Sequence, residues 1–419
     1  MSQTLDMPVL SPTAKRDRYV VMDALRGFAL LGVMTINLYE FGGEDVLITA
    51  EQLAALPSAA LDGKLEFWVK LFVYDKANTL FAFLFGLGFW IQMERLQARG
   101  APFRSIYLRR AAILLIIGWI HLLCLFGWDI LHIYGIAAFI LFFSRKLPDR
   151  ALLWIGLTLL LFARPFVTWV FEVSGITALF DDPAAAEAGI LARQAAAQSG
   201  DFFTFIALVN QDYLRWALTG GLFGWIFYAL GRFFMGAWVA RRGWIQNAAD
   251  NLPIFRRWLW PLLVVGLLLE SVHLFTEDVP ETALFGQIEL LRIILHAVAT
   301  PMIAAGYICA IVLLFHGGWL SWLVRPFAPV GQMALTNYLT QSVAIILILT
   351  SVGPGLGLAG KAGASTFVPL VVTFFTAQIL FSYFWMKFFA FGPAEWLWRT
   401  LTYGKRPRFI RTAVQTQPT

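Results

Sequence analysis

Stretches of about twenty mostly apolar residues, the length that crosses a bilayer as a helix, recur along the chain. They lie roughly over 20–40, 71–93, 107–127, 130–144, 150–173, 217–240, 257–275, 288–315, 328–350 and 366–390. The fourth is short and polar at its start. No alternating strand pattern accompanies them, and backbone polar groups in lipid must be paired within their own segment. The pattern therefore predicts an all-α, polytopic integral membrane protein of about ten transmembrane helices. An N-terminal tail (1–19) precedes the helical domain (20–391), and an interfacial helix and tail (392–419) follow it. The break at Gly392-Pro393 and the Trp396 and Trp398 pair suggest that last helix. Two connections are long, 41–70 and 174–216; in the second, Phe202, Phe205, Leu208 and Val209 recur at helical spacing.

Composition sharpens this picture. Of 419 residues, 59% are apolar and 14% charged, and the mean hydropathy is +0.69. So little polar surface cannot cover a soluble globule of this size. The net charge of +6 does not point to nucleic acid. Roughly two-thirds of the Lys and Arg fall in alternate loops, as in cytoplasmic loops. This places both termini in the cytoplasm and the two long connections outside. Cys124 and Cys309 both lie within apolar runs and indicate no disulfide framework.

Ionisable and amide groups inside the spans are candidate sites, because burying them in lipid is costly unless they are paired or hydrated. Asp23 and Arg26 share one face of the first span. Asn37 follows Arg26 by eleven residues, which returns a helix to nearly the same azimuth about 16 Å higher. Lys76 reads either as an interface anchor or as a polar-network member. Arg109 and Arg110 open the third span, and His121 lies eleven residues beyond Arg110. Asp129 and His132, three apart, complete a cluster at the far end of that hairpin; a carboxylate orients an imidazole and raises its basicity. Glu289, Arg292 and His296 share a face of the eighth span, and Asn337 and Gln341 lie on a polar stripe of the ninth. No sequence pattern supports a metal site, and no phosphate-binding loop is present.

Four stretches carry a family resemblance. They are Asp23-Ala24-Leu25-Arg26-Gly27 through Asn37; Thr79 through Gly86 and Gly88 to Phe89; Arg109-Arg110 through Gly118 and His121 to Asp129, His132 and Tyr134; and Gly331 with Thr336, Asn337, Tyr338, Gln341 and Ser342, closing with Gly392-Pro393-x-Glu395-Trp396-x-Trp398-Arg399. With these the chain resembles the YeiB-type family of bacterial inner-membrane proteins, a domain of unknown function. That family is distantly similar to transmembrane acyltransferases, among them heparan-α-glucosaminide N-acetyltransferase and the type-three acyltransferases. The latter carry Arg-x10-His on the first helix. Here the spacing is kept as Arg26-x10-Asn37, with Asn in the His position, and residues 38–120 contain no histidine.

The resemblance implies acyl transfer from a cytoplasmic acyl-CoA-like donor to an acceptor hydroxyl or amine on the outer side, the acceptor being a small molecule, glycan or lipid. Asp23, Arg26, Arg109 and Arg110 would hold the donor. His121 or His132, oriented by Asp129, would serve as base, and Asn37 would stabilise the oxyanion. Two other readings stand beside it: a proton-coupled transporter or exporter, and a non-catalytic scaffold or sensor. Glycine-bearing helix faces permit a homodimer.

Overall fold

The computed structural model describes residues 19–43, 46–100, 102–277, 279–280 and 288–411. Lys15, Arg16 and Arg18 of the N-terminal tail, Glu44 and Asp45 fall outside the described residues. In chain order the helices are α1 (Val20–Gly42), α2 (Ala50–Ala54), α3 (Ala59–Phe72), α4 (Lys76–Ala98), α5 (Phe103–Cys124), α6 (Leu131–Ser144), α7 (Asp149–Val173), α8 (Pro183–Ser199) and α9 (Phe202–Leu218). There follow α10 (Gly221–Arg241), α11 (Leu252–Thr276), α12 (Ile288–His316), α13 (Phe327–Gln332), α14 (Ala334–Leu349), α15 (Ala364–Phe388) and α16 (Pro393–Tyr403). Among the described residues the only β pairing is an isolated bridge between Phe389 and Ile410. The protein is an all-α, multi-pass membrane protein.

Among the described residues seven helices (α1, α5, α7, α10, α11, α12 and α15) are long and apolar enough to cross a membrane. Helices α4, α6 and α14 occupy the three remaining predicted spans. At 14 residues, α6 extends only about 21 Å, which accounts for its short apolar run. The ninth predicted run is broken at Met333 into α13 and α14.

Helix α1 sits at the centre and packs against α4, α12, α13, α14 and α15. Small residues set its closest contacts. A Cβ on Gly27 would run into the Phe327 carbonyl, and one on Gly331 into the Asp23 carbonyl. The α1 and α13 backbones therefore touch, and this contact fixes Asp23 and Arg26 beside the break that starts α14. The outer faces of α7 and α11 are apolar and exposed, with Trp154, Phe162, Phe166 and Trp169 on one and Trp258, Trp260, Leu268 and Phe275 on the other. These are faces that lipid covers.

Both long connections are folded. Helices α2 and α3 fill 50–72, and α8 and α9 fill 183–218. The α9 face predicted to be apolar buries Phe205 and Val209, together with Ile206 and Tyr213. It packs onto α5 and α10 and brings Tyr213 into the bundle. Helix α8 is tied over the α1–α2 connection, where Arg193 Nε donates to the Val46 carbonyl at 2.9 Å.

Candidate functional site

Two cavities lie at opposite ends of α1. The first, of about 410 Å³, is walled by Arg26, Arg95, Arg99, Arg110 and Arg399, with Asp23 and Glu395 as its carboxylates. Arg26 Nη1 donates to Asp23 Oδ1 at 3.0 Å. Its guanidinium has room because position 88 is glycine: a Cβ there would come within 3.2 Å of Arg26 Nη2. The Arg110 guanidinium lies 4.0 Å from the Trp398 ring centroid, and Trp398 Nε1 donates to the Arg110 carbonyl at 3.2 Å. Helix α16 thus closes one wall. Glu395 caps α14, accepting from the Leu335 amide at 2.6 Å, the Thr336 amide at 3.1 Å and the Thr336 hydroxyl at 2.6 Å. Burial pushes the Glu395 carboxyl above the usual range, against the opposing effect of the Thr336 and Leu335 hydrogen bonds. Deeper in, the lining turns apolar and aromatic with Phe81, Leu84, Phe85, Leu131 and Tyr134. An arginine mouth over an apolar floor suits an anionic head group carrying an apolar tail.

The second cavity, of about 430 Å³, is lined by Asn37, Glu40, Asn78, Asp129, Arg164 and Tyr213, and by the rings of Trp128, Trp216 and Trp225. Of all the lining residues, only Tyr338 borders both cavities. Its hydroxyl donates to Asp129 Oδ1 at 3.2 Å, and its ring is 5.4 Å from that of His121.

Asp129 organises the wall beside that partition. A carboxylate only accepts, so the imidazole nitrogens facing it carry the protons. His121 Nδ1 donates to Oδ1 at 2.8 Å, and His132 Nδ1 and the His132 amide donate to Oδ2 at 3.2 and 3.0 Å. His132 Nε2 is then left as an acceptor for the Tyr213 hydroxyl, 2.6 Å away. Tyr213 borders the cavity, whereas both imidazoles lie behind it, fully buried. The other ring nitrogen of His121, Nε2, is buried without a hydrogen-bond partner among the described residues. The arrangement can move a proton between the cavity and His132 through Tyr213, with Asp129 stabilising the imidazolium.

A buried ionic network flanks this second cavity. Lys76 is wholly buried, pairs with Glu270 and donates to the Lys70 carbonyl at 2.7 Å; the interface-anchor reading gives way to the network reading. His296 lies between Glu270, 3.0 Å from Nδ1, and Asp75, 3.1 Å from Nε2. Asp75 also accepts from Arg164 Nη1 at 2.7 Å. Among the described residues Asp75 is the only non-glycine with positive φ, at 56°. Such a backbone conformation persists where its surroundings hold it, and here they are the two cationic partners.

Several predicted residues serve the helix packing or lie away from the cavities. Arg109 is exposed, and its Nη1 donates to the Thr402 carbonyl at 3.2 Å, outside the cavity that holds Arg110. Arg292 pairs with Glu289 at 3.2 Å and donates to the Thr276 carbonyl at the end of α11; of that trio only His296 joins the buried network. Asn337 Nδ2 donates to Ser382 at 3.1 Å, and Gln341 Nε2 donates to Gln378 at 2.9 Å. These bonds tie α14 to α15. Of the residues that reasoning from the sequence passed over, Glu40 is the clearest. It stands three positions after Asn37, a spacing that puts it on the same face. Tyr213, Arg95, Arg99 and Asp75 reach the cavities or their walls only through tertiary packing.

Residues 239–405 match a family described as a protein of unknown function, DUF418. The chain is 30% identical over 416 residues to the uncharacterized protein YeiB of Escherichia coli (strain K12), covering 92% of this chain and 96% of that one. It is 29% identical over 414 residues to the uncharacterized protein YxaH of Bacillus subtilis (strain 168), covering 95% and 97%. It is also 27% identical to an uncharacterized 39.9 kDa protein from the amylase 3' region of Bacillus acidopullulyticus, over 95% of this chain and 97% of the relative. The chain belongs to the YeiB family.

Proposed function

We propose that this member of the YeiB family is an acyltransferase of the bacterial inner membrane, moving an acyl group from a cytoplasmic acyl-CoA-like donor to an acceptor on the opposite side. One observation carries the reading: an arginine-walled cavity and a carboxylate-bearing cavity lie end to end along α1 and share only Tyr338, at the Asp129 cluster. The donor's phosphates would meet Arg26, Arg95, Arg99, Arg110 and Arg399, with Asp23 orienting Arg26. The acyl group would occupy the apolar floor beneath Tyr338. For a hydroxyl acceptor in the second cavity, the oxygen attacks the thioester carbon and the C–S bond breaks. The acceptor's proton passes to the Tyr213 oxygen as the Tyr213 proton moves to His132 Nε2. Asn37 or the Tyr338 hydroxyl donates to the oxyanion. The proton held at His132 then passes to the leaving thiolate, so the products are an ester and a thiol and no net proton is released. His132 and Asp129 act through Tyr213, and His121 steadies the second carboxylate oxygen.

The test is acetyl-CoA binding to the full-length protein in lipid nanodiscs by calorimetry, with Arg26→Ala and Arg110→Ala variants. Saturable binding that each variant weakens at least tenfold supports the reading. Absence of binding defeats it. The proton-coupled carrier is the second reading, favoured by the Lys76, Glu270, His296 and Asp75 network beside the second cavity. Proton-dependent solute movement in proteoliposomes without acyl-CoA binding would put it first.

A further inference from the structure

The wall of the second cavity carries four carboxylates, Glu40, Asp62, Glu66 and Asp129, against two cations, Lys70 and Arg164. Each cationic side chain on it already has a carboxylate partner: Lys70 pairs with Glu66 at 3.1 Å and Glu277 at 3.0 Å, and Arg164 with Asp75 at 2.7 Å. Three of the four carboxylates are engaged as well. Asp62 accepts from the Ser365 amide and the Ser58 hydroxyl, both at 2.7 Å. Asp129 holds two imidazoles, and Glu66 holds Lys70. Glu40 is the least engaged. It is exposed to the cavity, accepts from the Tyr74 hydroxyl, and makes no ion pair among the described residues.

Two carboxamides join it. Asn78 is 7% exposed and lines the cavity, yet its side chain has no hydrogen-bond partner among the described residues; only its backbone carbonyl is engaged, 3.5 Å from the Tyr134 hydroxyl. A carboxamide held out of bulk water without a partner is costly unless a ligand or water completes it. Asn37, one turn before Glu40 on α1, likewise turns an unpartnered carboxamide into the same space. The rings of Trp128 and Trp216 line the same space, and aromatic rings attract an organic cation.

We propose that this cavity binds a small primary amine in its protonated form, carrying neighbouring hydroxyl groups, with Glu40 as counter-ion and Asn37 and Asn78 as hydroxyl partners. This rests on the acyl-transfer reading only in making the amine the acceptor. In that role a bound ammonium and a thioester give an amide, a thiol and one free proton. The site itself requires no donor.

The experiment compares 2-amino-1,3-propanediol with glycerol, which has a hydroxyl in place of the ammonium, on the full-length protein in nanodiscs without donor. Saturation-transfer NMR reads the affinities. The amine should bind at least tenfold more tightly than glycerol. Glu40→Gln should abolish that preference, Glu40→Asp should retain most of it, and Asn78→Ala should weaken the amine several-fold without erasing the preference. An unchanged thermal midpoint in nanodiscs checks that Glu40→Gln is folded. Equal affinities, a preference that survives Glu40→Gln, or no amine binding would each overturn the inference. The two readings fail separately. Transfer to alcohols without amine preference removes only the amine site. A Glu40-dependent amine preference in a protein that ignores acetyl-CoA removes only the transfer.

Discussion

The two cavities are similar in volume and opposite in chemistry, and what surrounds them differs as much as what lines them. The arginine cavity is walled by guanidiniums from α1, α4, α5 and α16, of which Arg95, Arg110 and Arg399 stack on Tyr19, Trp398 and Phe391. It carries five guanidiniums against two carboxylates, Asp23 and Glu395. The second cavity keeps its cations in pairs and is backed by an ionic network reaching from the buried Lys76 to the half-exposed Arg164. One end therefore has excess positive charge available to a ligand, while the other uses its charge chiefly to hold helices together. A membrane protein that must bind an anion on one side and exclude it from the other needs this asymmetry, and Tyr338 marks the border.

The largest expected effect comes from breaking that border. Tyr338→Ala should join the cavities. In a Cys124→Ser, Cys309→Ser background, a cysteine introduced by Asn37→Cys should react with an impermeant maleimide applied from the arginine side only when Tyr338 is Ala. Tyr338→Phe keeps the ring and loses the Asp129 bond, so it should remain closed. Unchanged labelling in Tyr338→Ala would mean that the two spaces are separated by more than this side chain.

Cutting the network should cost more stability than cutting the arginine wall. Removing one partner of a buried ion pair leaves an uncompensated charge, worth about 3–5 kcal/mol. Lys76→Met should lower the thermal midpoint in nanodiscs accordingly, and Lys76→Met combined with Glu270→Leu should recover part of the loss. Arg99→Ala, at an exposed position, should change the midpoint little. Equal destabilisation by Lys76→Met and Arg99→Ala would dissolve the contrast between the two ends.

The Asp23–Arg26 pair at the arginine end and the Asp129 cluster at the other were legible in the sequence, and the reason is local. Asp23 with Arg26, and Asp129 with His132, are three residues apart, so helical periodicity alone put them on shared faces, where they pair at 3.0 and 3.2 Å. His121 was placed by the short hairpin that returns the chain to Asp129. Arg109 shows the limit of the same reasoning. Adjacent to Arg110, it points about 100° away around the helix and meets Thr402 instead of the cavity. The rest of the second cavity was hidden because its parts come from distant segments. Glu40 gains significance only when Asn78, Tyr74 and α9 surround it. Tyr213 sits in a connection whose docking on α5 no periodicity reveals. Asp75 and Arg164, 89 residues apart, meet only in the folded bundle.

That local distinction between neighbours gives the next test. Arg26→Ala and Arg110→Ala should each weaken acetyl-CoA about 10- to 100-fold, the loss of one charge-assisted contact of about 1.5–3 kcal/mol. Arg109→Ala should stay within about twofold. Lys at position 110 should restore the charge but not the stacking on Trp398, and so recover only part of the affinity. An Arg109→Ala effect as large as that of Arg110→Ala would move the donor out of the cavity described above.

The smallest effect contrasts two carboxylates that do the same job at the two ends. Glu395 caps α14 beside the arginine cavity, and Asp62 caps α15 beside the other, each loss being worth about 0.5–2 kcal/mol. Their surroundings shift them in opposite directions. Burial raises the Glu395 carboxyl. At Asp62 burial acts the same way but is outweighed by the Ser365 and Ser58 hydrogen bonds, which hold it below its ordinary value. Stability rises with pH wherever the unfolded chain binds more protons. The Asp62 contribution is therefore present above the unfolded pKa and is lost as pH falls through the lower folded value. Glu395 contributes fully below its unfolded pKa, and that contribution is lost as pH rises through the raised folded value. Thermal midpoints followed from pH 3 to 8 should show Asp62→Asn removing acid sensitivity and Glu395→Gln removing a decline on the neutral side. Two profiles of the same sign would show that the ends impose the same environment on their caps, and the electrostatic contrast between the cavities would then stop at their walls.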